Sequence, residues 1–496
     1  MTRRTGHGVP AAAFRWSWAL TALALAAGGC RKDDARAATS EPPSARPASA
    51  CAGTETRGAL PWFEDAYDKA LACARERGVP IVLDMWAPWC HTCLSMQSYV
   101  LSDPGLAPLA DRFVFVGIDT DREANAAVVA KFPVSTWPTF FVVSPDDESI
   151  QARFVGSATI AQWRELLAAG EQGHLDARAK SGALAAGSPL ALVRAGDRAA
   201  VAKDHEAAAT AYTAALAAAP ADWPRRPDVL VSLIQVLYKH DQLAPCADLA
   251  LQVMDQTGRA ASAADFASFS LACADDLAKV DAAKAKTVRE RAVARLQGLV
   301  ADEQAPLSVD DRSDAMANLR GALDALDQKD AARAVAEQQR ALLDDAAAKA
   351  PSPVAASTYN WPRAEVYAYL GRPLELVPAL EKSAADLPRE YDPPYRLAWI
   401  YLQAKQPDQA LPWAEKALAL SYGPRKARVQ SVIADVHKAR GDVAAERAAR
   451  AALVAIYEQL PPAMAQPEAL AKAKAALAAL DAPPAATSPA APTPKK

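Results

Sequence analysis

The chain has 496 residues, with 55 Lys and Arg against 58 Asp and Glu and a formal net charge of -3. One hydrophobic core rarely serves more than about 250 to 300 residues, so this length predicts two or three domains. The near balance of charge excludes the broad basic field with which proteins bind nucleic acid or an anionic membrane surface. No nucleic-acid partner is expected.

The first 29 residues have the layout of an export signal, in which basic Arg3 and Arg4 precede an apolar stretch at 16–27 and a run of small residues. Cys30 follows directly, which resembles a bacterial lipoprotein signal with an acylated cysteine. We therefore expect a signal peptide at 1–29 and a lipid anchor at Cys30, on the periplasmic side of a bacterial membrane. The alternative is a plain secretory signal with Cys30 unmodified, which gives a secreted or soluble periplasmic protein.

Two segments of different composition follow the signal. Residues 30–57 are rich in Ala, Ser and Pro, which predicts a flexible tether. Between residues 58 and 172, short apolar runs typical of buried strands alternate with helical segments and end in a hairpin. This alternation predicts an α/β domain. The apolar runs lie at 79–83, 113–118, 139–143 and 150–155.

A Cys-X-X-Cys motif lies where the first apolar run gives way to a helix, in the segment 84–93 (DMWAPWCHTC). At such a junction the Cys90 sulfur meets free backbone N–H groups at the positive end of a helix dipole, which favours its thiolate. The thiolate is the attacking species in disulfide exchange, so Cys90 is the expected nucleophile and Cys93 the resolving thiol. Zinc normally takes four ligands, and the sequence has no second Cys-X-X-Cys pair, so we expect neither metal nor cofactor.

The segment from about 60 to 170 resembles thioredoxin-family domains, including the C-terminal domain of the periplasmic thiol:disulfide interchange proteins. Asp84 matches the family's buried acid, and the resemblance implies that it relays a proton to and from the resolving cysteine. Pro138 matches the family's cis-proline, whose loop binds an extended substrate backbone. Trp89 and Trp137 are then expected to contact the substrate.

The segment departs from the family pattern beside the acid and between the cysteines. Phe115 stands where the family has a lysine near the acid, so Asp84 is expected in a more apolar setting, with its pKa raised by desolvation. His91 either stabilises the Cys90 thiolate or simply faces solvent. Apart from the resemblance, Asp84 is an ordinary capping carboxylate, Pro138 a trans residue that starts a strand, and the tryptophans are packing residues.

Residues 185–480 lack strand signals and are rich in Ala, Leu, Glu, Lys and Arg, which predicts an all-α region. Small and aromatic residues recur there with the spacing of a tetratricopeptide repeat, which this region resembles. Stacked repeats present concave surfaces, so we expect a protein or peptide partner. Residues 481–496 are rich in Pro and Ala and are expected to be disordered. The best matches are Ala208, Tyr212, Ala215 and Pro220, with Gly196 ahead of them, and the segment 397–420.

The chain has seven cysteines, and a lipidated Cys30 leaves six that can pair. Cys90 and Cys93 pair through their spacing, whereas proximity alone indicates two structural disulfides. Six cysteines permit fifteen connectivities, so the sequence leaves these two pairings open. The candidate structural pairs are Cys51 with Cys73 and Cys246 with Cys273.

These features favour a membrane-tethered, extracytoplasmic thiol:disulfide oxidoreductase that acts on exported protein thiols or disulfides. The resemblance, rather than any residue, indicates the reductive direction; an oxidase or isomerase is the nearest rival. Reduction needs an external membrane electron donor, because no apolar run after the signal is long enough to span a bilayer. The alternative is a lipoprotein repeat scaffold, in which the helical repeats do the main work and the thioredoxin-like module is not catalytic.

Overall fold

The computed structural model describes residues 51–179 and 187–480, which form an α/β domain followed by an all-α region, as the sequence predicts. The expected signal peptide, Cys30, most of the tether and the C-terminal tail lie outside the described residues. Within the two described ranges, every helix is too short or too polar to cross a membrane.

A mixed six-stranded sheet forms the centre of the α/β domain. Its strands are β1 Glu55–Arg57, β2 Leu60–Glu64, β3 Ile81–Trp86, β4 Val114–Asp119, β5 Thr139–Val143 and β6 Ile150–Val155. They lie in the order β1-β2-β4-β3-β5-β6, so β3, which leads to the cysteines, is central. β3 runs parallel to β4 and antiparallel to β5. The sheet begins inside the expected tether, because β1 pairs with β2 from Glu55 onward.

Helices cover both faces of this sheet. On one face, α1 (Tyr67–Arg77) and α3 (Ala126–Lys131) pack over side chains such as Leu83 of β3. On the other face, α4 (Ile160–Arg178) sets Trp163 edge-on against Phe140 of β5, with ring centroids 4.6 Å apart. Neighbouring residues of each strand enter opposite cores, as the two-residue period of a strand requires. Both faces of the sheet are therefore covered, and the cysteines follow the end of β3.

The all-α region is a succession of helices in which sequence neighbours pack against each other. Short loops join most of them, so successive helices run antiparallel. Gly196 of the first helix lies against the ring of Tyr212 in the second, where a Cβ atom would come within 2.6 Å of the ring. The helices are α5 Pro189–Val201, α6 His205–Ala218, α7 Arg226–Lys239, α8 Leu243–Val253, α9 Ala261–Leu277, α10 Ala282–Ala301, α11 Val309–Ala325, α12 Lys329–Lys349, α13 Pro353–Ser357, α14 Asn360–Tyr369, α15 Val377–Asp386, α16 Asp392–Gln403, α17 Pro407–Leu420, α18 Gly423–Ala439, α19 Val443–Gln459 and α20 Pro467–Ala479.

The helical region packs directly on the α/β domain. Helices α5 and α7 contact β6 at one edge of the sheet. Helices α11, α13 and α14 contact α2 (His91–Ser95), the short helix that carries the second cysteine. The end of the domain that holds the Cys-X-X-Cys motif therefore faces the helices.

Candidate redox site

Cys90 and Cys93 lie where β3 gives way to α2, and a disulfide joins them. Cys90 caps α2, and its Sγ accepts a hydrogen bond of 3.0 Å from the backbone N–H of Cys93. An amide donor aimed at this sulfur stabilises negative charge on it, so the position suits the thiolate formed on reduction. Both residues are buried, Cys90 at 4% exposure and Cys93 at 1%, so Cys90 is the slightly more exposed of the two.

Three tryptophans, Trp86, Trp89 and Trp137, pack against the cluster that Ala87 forms with the two cysteines. The rings of Trp89 and Trp137 meet edge to face, with centroids 5.3 Å apart. Their indole N–H groups donate hydrogen bonds to residues just after β4. Trp89 donates to Asp121 and Trp137 donates to Thr120, and each bond is 2.8 Å long. The bond between Trp137 and Pro138 is cis. The structure thus brings the two tryptophans to the disulfide with Pro138 next to them, and their contacts with substrate stay a prediction.

Asp84 is buried, 1% exposed, in the middle of β3. Burial raises its pKa to about 6, while Arg57 and a hydrogen bond from Gln97 act in the opposite direction. Its Oδ2 lies 4.0 Å from Arg57 Nη1 and 3.5 Å from Gln97 Nε2. The expected rise in pKa is present, but the expected apolar setting is wrong. Arg57, which also pairs with Glu64, supplies the positive charge that Phe115 cannot.

His91, the residue after Cys90, faces the helical region. Its Nδ1 lies 2.9 Å from Asp310 Oδ1 and its Nε2 lies 3.9 Å from Asp314 Oδ1. Burial alone would lower the pKa of His91, but these two carboxylates outweigh it and raise the pKa to about 10. The raised pKa favours a protonated ring, held in an ion pair with Asp310. Neither sequence expectation, a thiolate partner or a solvent-exposed ring, anticipates this contact with α11.

The same three side chains are close enough to hold a metal ion, since their ligand atoms lie within 4.8 Å of one another. A metal needs the lone pair of a neutral imidazole, whereas a protonated ring donates from both nitrogens. A metal ion here would have to displace the proton that pairs His91 with Asp310, so it would compete with this ion pair.

Several further side chains of the helical region bind groups around the disulfide. Their sequence separations from those groups run from 99 to 307 residues, so no local sequence signal links them. The sequence alone therefore does not predict these residues as part of the site. The contacts are Arg396 Nη2 to Trp89 O at 3.3 Å, Gln235 Nε2 to Thr136 Oγ1 at 2.7 Å, Tyr422 to Asp119, and Arg425 to Asp121 at 3.7 Å.

A cavity of about 660 Å³ lies between the redox site and the helices. From the α/β domain, Trp89, His91 and Trp137 form part of its wall. Its volume is within the range of pockets that bind small ligands, about 300 to 1,000 Å³. The cavity therefore reaches both sequence neighbours of Cys90.

The two other cysteine pairs expected from the sequence are disulfide-bonded in the structure. Cys51 is joined to Cys73 of α1, which fastens the segment before β1 to the domain. Cys246 of α8 is joined to Cys273 of α9, and both are fully buried. These bonds link neighbouring elements, as structural disulfides do.

Residues 62–145 match the model of a protein family described as thioredoxin-like. This part of the chain is a thioredoxin-like domain. Among its relatives are two thiol:disulfide interchange proteins of Pseudomonas aeruginosa, DsbD 2 and DsbD 1. Each is 30% identical, over 88 residues (17% of this chain, 15% of the relative) and 103 residues (20% and 17%). A chloroplastic thioredoxin-like protein of Solanum tuberosum, CITRX, is 28% identical over 92 residues, 18% of this chain and 50% of that protein.

The chain spans about one sixth of the two interchange proteins and half of the chloroplastic protein. A solved tetratricopeptide repeat protein of Parabacteroides merdae aligns with 59% of this chain and 98% of its own. Its identity is 13% and its TM-score 0.39, below the level that indicates a shared fold. The helical character of residues 187–480 therefore rests on the packed helices themselves.

Proposed function

We propose that this protein is a thiol:disulfide oxidoreductase whose working dithiol is Cys90 and Cys93. One observation carries the proposal: the disulfide lies at the start of α2, with the Cys93 amide donating to Cys90 Sγ and three tryptophans packed around it. The interchange proteins among the relatives of the thioredoxin-like domain support the same chemistry.

In the proposed reaction, the reduced Cys90 thiolate attacks a substrate disulfide and forms a mixed disulfide, while the other substrate sulfur leaves as a thiolate. Cys93 then loses its proton and attacks Cys90 Sγ, which releases the second substrate thiol and restores the Cys90–Cys93 disulfide. Asp84, with its pKa near 6, can accept and release a proton close to neutral pH, which suits a relay to Cys93.

The proposed cellular setting is the periplasmic face of a bacterial membrane, with a lipid anchor at Cys30, reduction of exported proteins and an external membrane electron donor. Its support is the signal-like start of the sequence and the names of the two bacterial relatives. Cell fractionation tests the anchor: the unchanged chain should sediment with membranes, and its Cys30→Ser variant should not. A variant that stays with the membranes would contradict the lipid anchor.

The reduction potential of the Cys90–Cys93 pair tests the proposed activity. The full chain is equilibrated with glutathione or dithiothreitol buffers, its thiols are trapped, and peptides are analysed by mass spectrometry so that the three disulfides are read separately. We expect a potential of about -270 mV, near that of thioredoxin; a value of about -120 mV would indicate an oxidase.

Single Cys90→Ser and Cys93→Ser variants complete this experiment. Cys90→Ser should abolish exchange, whereas Cys93→Ser should stop at the mixed disulfide, which accumulates and can be isolated. A wild-type pair that never exchanges with either buffer would overturn the oxidoreductase proposal and favour the non-catalytic scaffold.

A further inference from the structure

The cavity beside the redox site has a wall of mixed origin. Trp89, His91 and Trp137 come from the thioredoxin-like domain, and the helical region contributes three arginines, Arg396, Arg425 and Arg428. The Trp89 and Trp137 rings also pack against the disulfide. A ligand in the cavity therefore contacts both parts of the chain, and it lies against the two sequence neighbours of Cys90, Trp89 and His91.

The charged side chains that line the cavity are mostly basic. Three arginines and His91 line it, with a single carboxylate, that of Asp121. The carboxylates of α11 balance His91, and Asp121, which accepts from the indole of Trp89, lies 3.7 Å from Arg425. The excess of positive charge in the lining therefore comes from the remaining arginines.

The three arginines differ in whether their guanidinium groups already have partners within the chain. Arg396 pairs with Asp392 and donates to the carbonyl oxygen of Trp89. Arg425 lies over the Trp89 ring, with its guanidinium carbon 4.2 Å from the ring centroid. Arg428 is exposed and makes no hydrogen bond or ion pair with any of the described residues. Its guanidinium is free to bind an anionic ligand.

Helix α18 adds to the positive potential. It begins at Gly423, and the first-turn residues Pro424 and Arg425 both line the cavity. Pro424 has no N–H and the N–H of Arg425 donates to the Tyr422 carbonyl oxygen, so this end of the 17-residue helix contributes through the positive end of its dipole. The side chains and the helix start therefore favour the same sign of charge in a ligand.

We propose that the disulfide reduced at Cys90 carries carboxylate groups, which bind in this cavity with Arg428 as their principal partner. This inference rests on the proposed oxidoreductase function and names the substrate class of the same site. Both a small acidic disulfide and an extended acidic peptide carry such carboxylates. The cavity of about 660 Å³ is large enough for the small molecule or for one segment of the peptide.

The reaction balances with an external dithiol as the reductant. The Cys90 thiolate forms a bond to one substrate sulfur as the substrate disulfide breaks, and the leaving thiolate takes a proton from water. Cys93 then displaces the second acidic thiol, so two electrons pass from the protein dithiol to the substrate. The external dithiol reduces the Cys90–Cys93 disulfide and begins the next cycle.

The test follows oxidation of the pre-reduced full chain by three small disulfides of different charge. Glutathione disulfide is anionic, bis(2-hydroxyethyl) disulfide neutral and cystamine cationic. Rates are read by trapping thiols and measuring the Cys90–Cys93 peptides by mass spectrometry. A peptide disulfide flanked by Asp and Glu forms a fourth arm, which separates a small-molecule source of the carboxylates from a peptide source.

Arg428→Glu should lower the rate with glutathione disulfide about tenfold more than the rate with the neutral disulfide, and should raise the rate with cystamine. Lys426→Glu is the matched control. It makes the same change of charge at an exposed residue of α18 that does not line the cavity, so all three rates should stay within about twofold of wild type.

The outcomes separate the two proposals. Equal effects of Arg428→Glu and Lys426→Glu on glutathione disulfide, or no effect of either, would overturn the carboxylate site while leaving the redox activity standing. A reduced wild-type chain that reacts with none of the disulfides would instead overturn the proposed function. The two acidic substrates distinguish the source of the carboxylates. If Arg428→Glu slows only glutathione disulfide, the site binds small acidic disulfides; if it slows only the acidic peptide, the site binds peptides.

Discussion

At the scale of single residues, burial of the Asp84 carboxyl group lowers the stability of the folded chain at neutral pH. Its carboxyl group is 1% exposed and its Oδ1 has no hydrogen-bond partner among the described residues. Burial raises its pKa from 3.8 to about 6, although Arg57 lowers it in part. Because the pKa is higher in the folded chain, ionisation weakens the fold as the pH rises from about 4 through 6. A buried acid kept at this cost is more often functional than structural.

Asp84→Asn should therefore stabilise the chain at pH 7 and not at pH 4. A pKa of about 6 against 3.8 corresponds to about 2 kcal/mol of unfolding free energy gained by the amide between these two pH values. Thermal unfolding at pH 4 and pH 7 measures it, as the difference between variant and wild type at each pH.

Asp111→Asn is the control for this prediction, since Asp111 is exposed in the same domain. Its effect on unfolding should be the same at both pH values within about 0.5 kcal/mol. If the gain from Asp84→Asn is equally large at pH 4, burial of the charged form is not its cause.

At the scale of elements, the start of α18 shows how closely the helical region approaches the redox site. Gly423 has φ of +50°, and a Cβ atom there would overlap the carbonyl oxygen of Asp121, just after β4. The neighbouring Tyr422 donates to Asp119 at the end of β4. Only glycine permits both this backbone conformation and this approach.

Gly423→Ala should cost more stability than Gly441→Ala, the matched substitution in the turn before α19. Gly441 has φ of +70° and no atom within 4 Å of its missing Cβ, so its loss costs about 1 to 2 kcal/mol of backbone strain alone. At Gly423 the clash with Asp121 adds about 1 to 3 kcal/mol. Denaturant unfolding of the two variants measures the difference in unfolding free energy. Equal losses in both variants would mean that Gly423 of α18 is not in close contact with Asp121.

At the scale of the whole molecule, the sequence predicts what local patterns encode. The strand into the Cys-X-X-Cys motif and the helical second half follow from spacing and composition, whereas Asp84 and Pro138 follow from the resemblance to thioredoxin-family domains. Contacts between distant segments do not. Arg57 lies in a stretch whose composition predicts a tether, and its role comes from strand pairing. His91 meets Asp310 across 219 residues of chain, which only the packing of α11 on α2 brings together.

This packing also limits which disulfides can reach Cys90. The residue is 4% exposed, three helices contact α2, and the sequence neighbours of Cys90, Trp89 and His91, line the cavity. A folded protein cannot enter a cavity of about 660 Å³, whereas an extended segment can. We therefore expect the helical region to select extended substrates.

The reduced full chain should react roughly tenfold faster with a disulfide in an extended acidic peptide than with the same sequence held in a folded protein, because access governs exchange rates. Dithiothreitol is the control, because it is a small dithiol whose access no protein helices restrict. Its rates with the same two substrates give the ratio of their intrinsic reactivities. The rates are measured by trapping thiols at successive times. If the chain and dithiothreitol show the same ratio between the two substrates, the helices do not restrict access, and the substrate contacts lie outside the cavity.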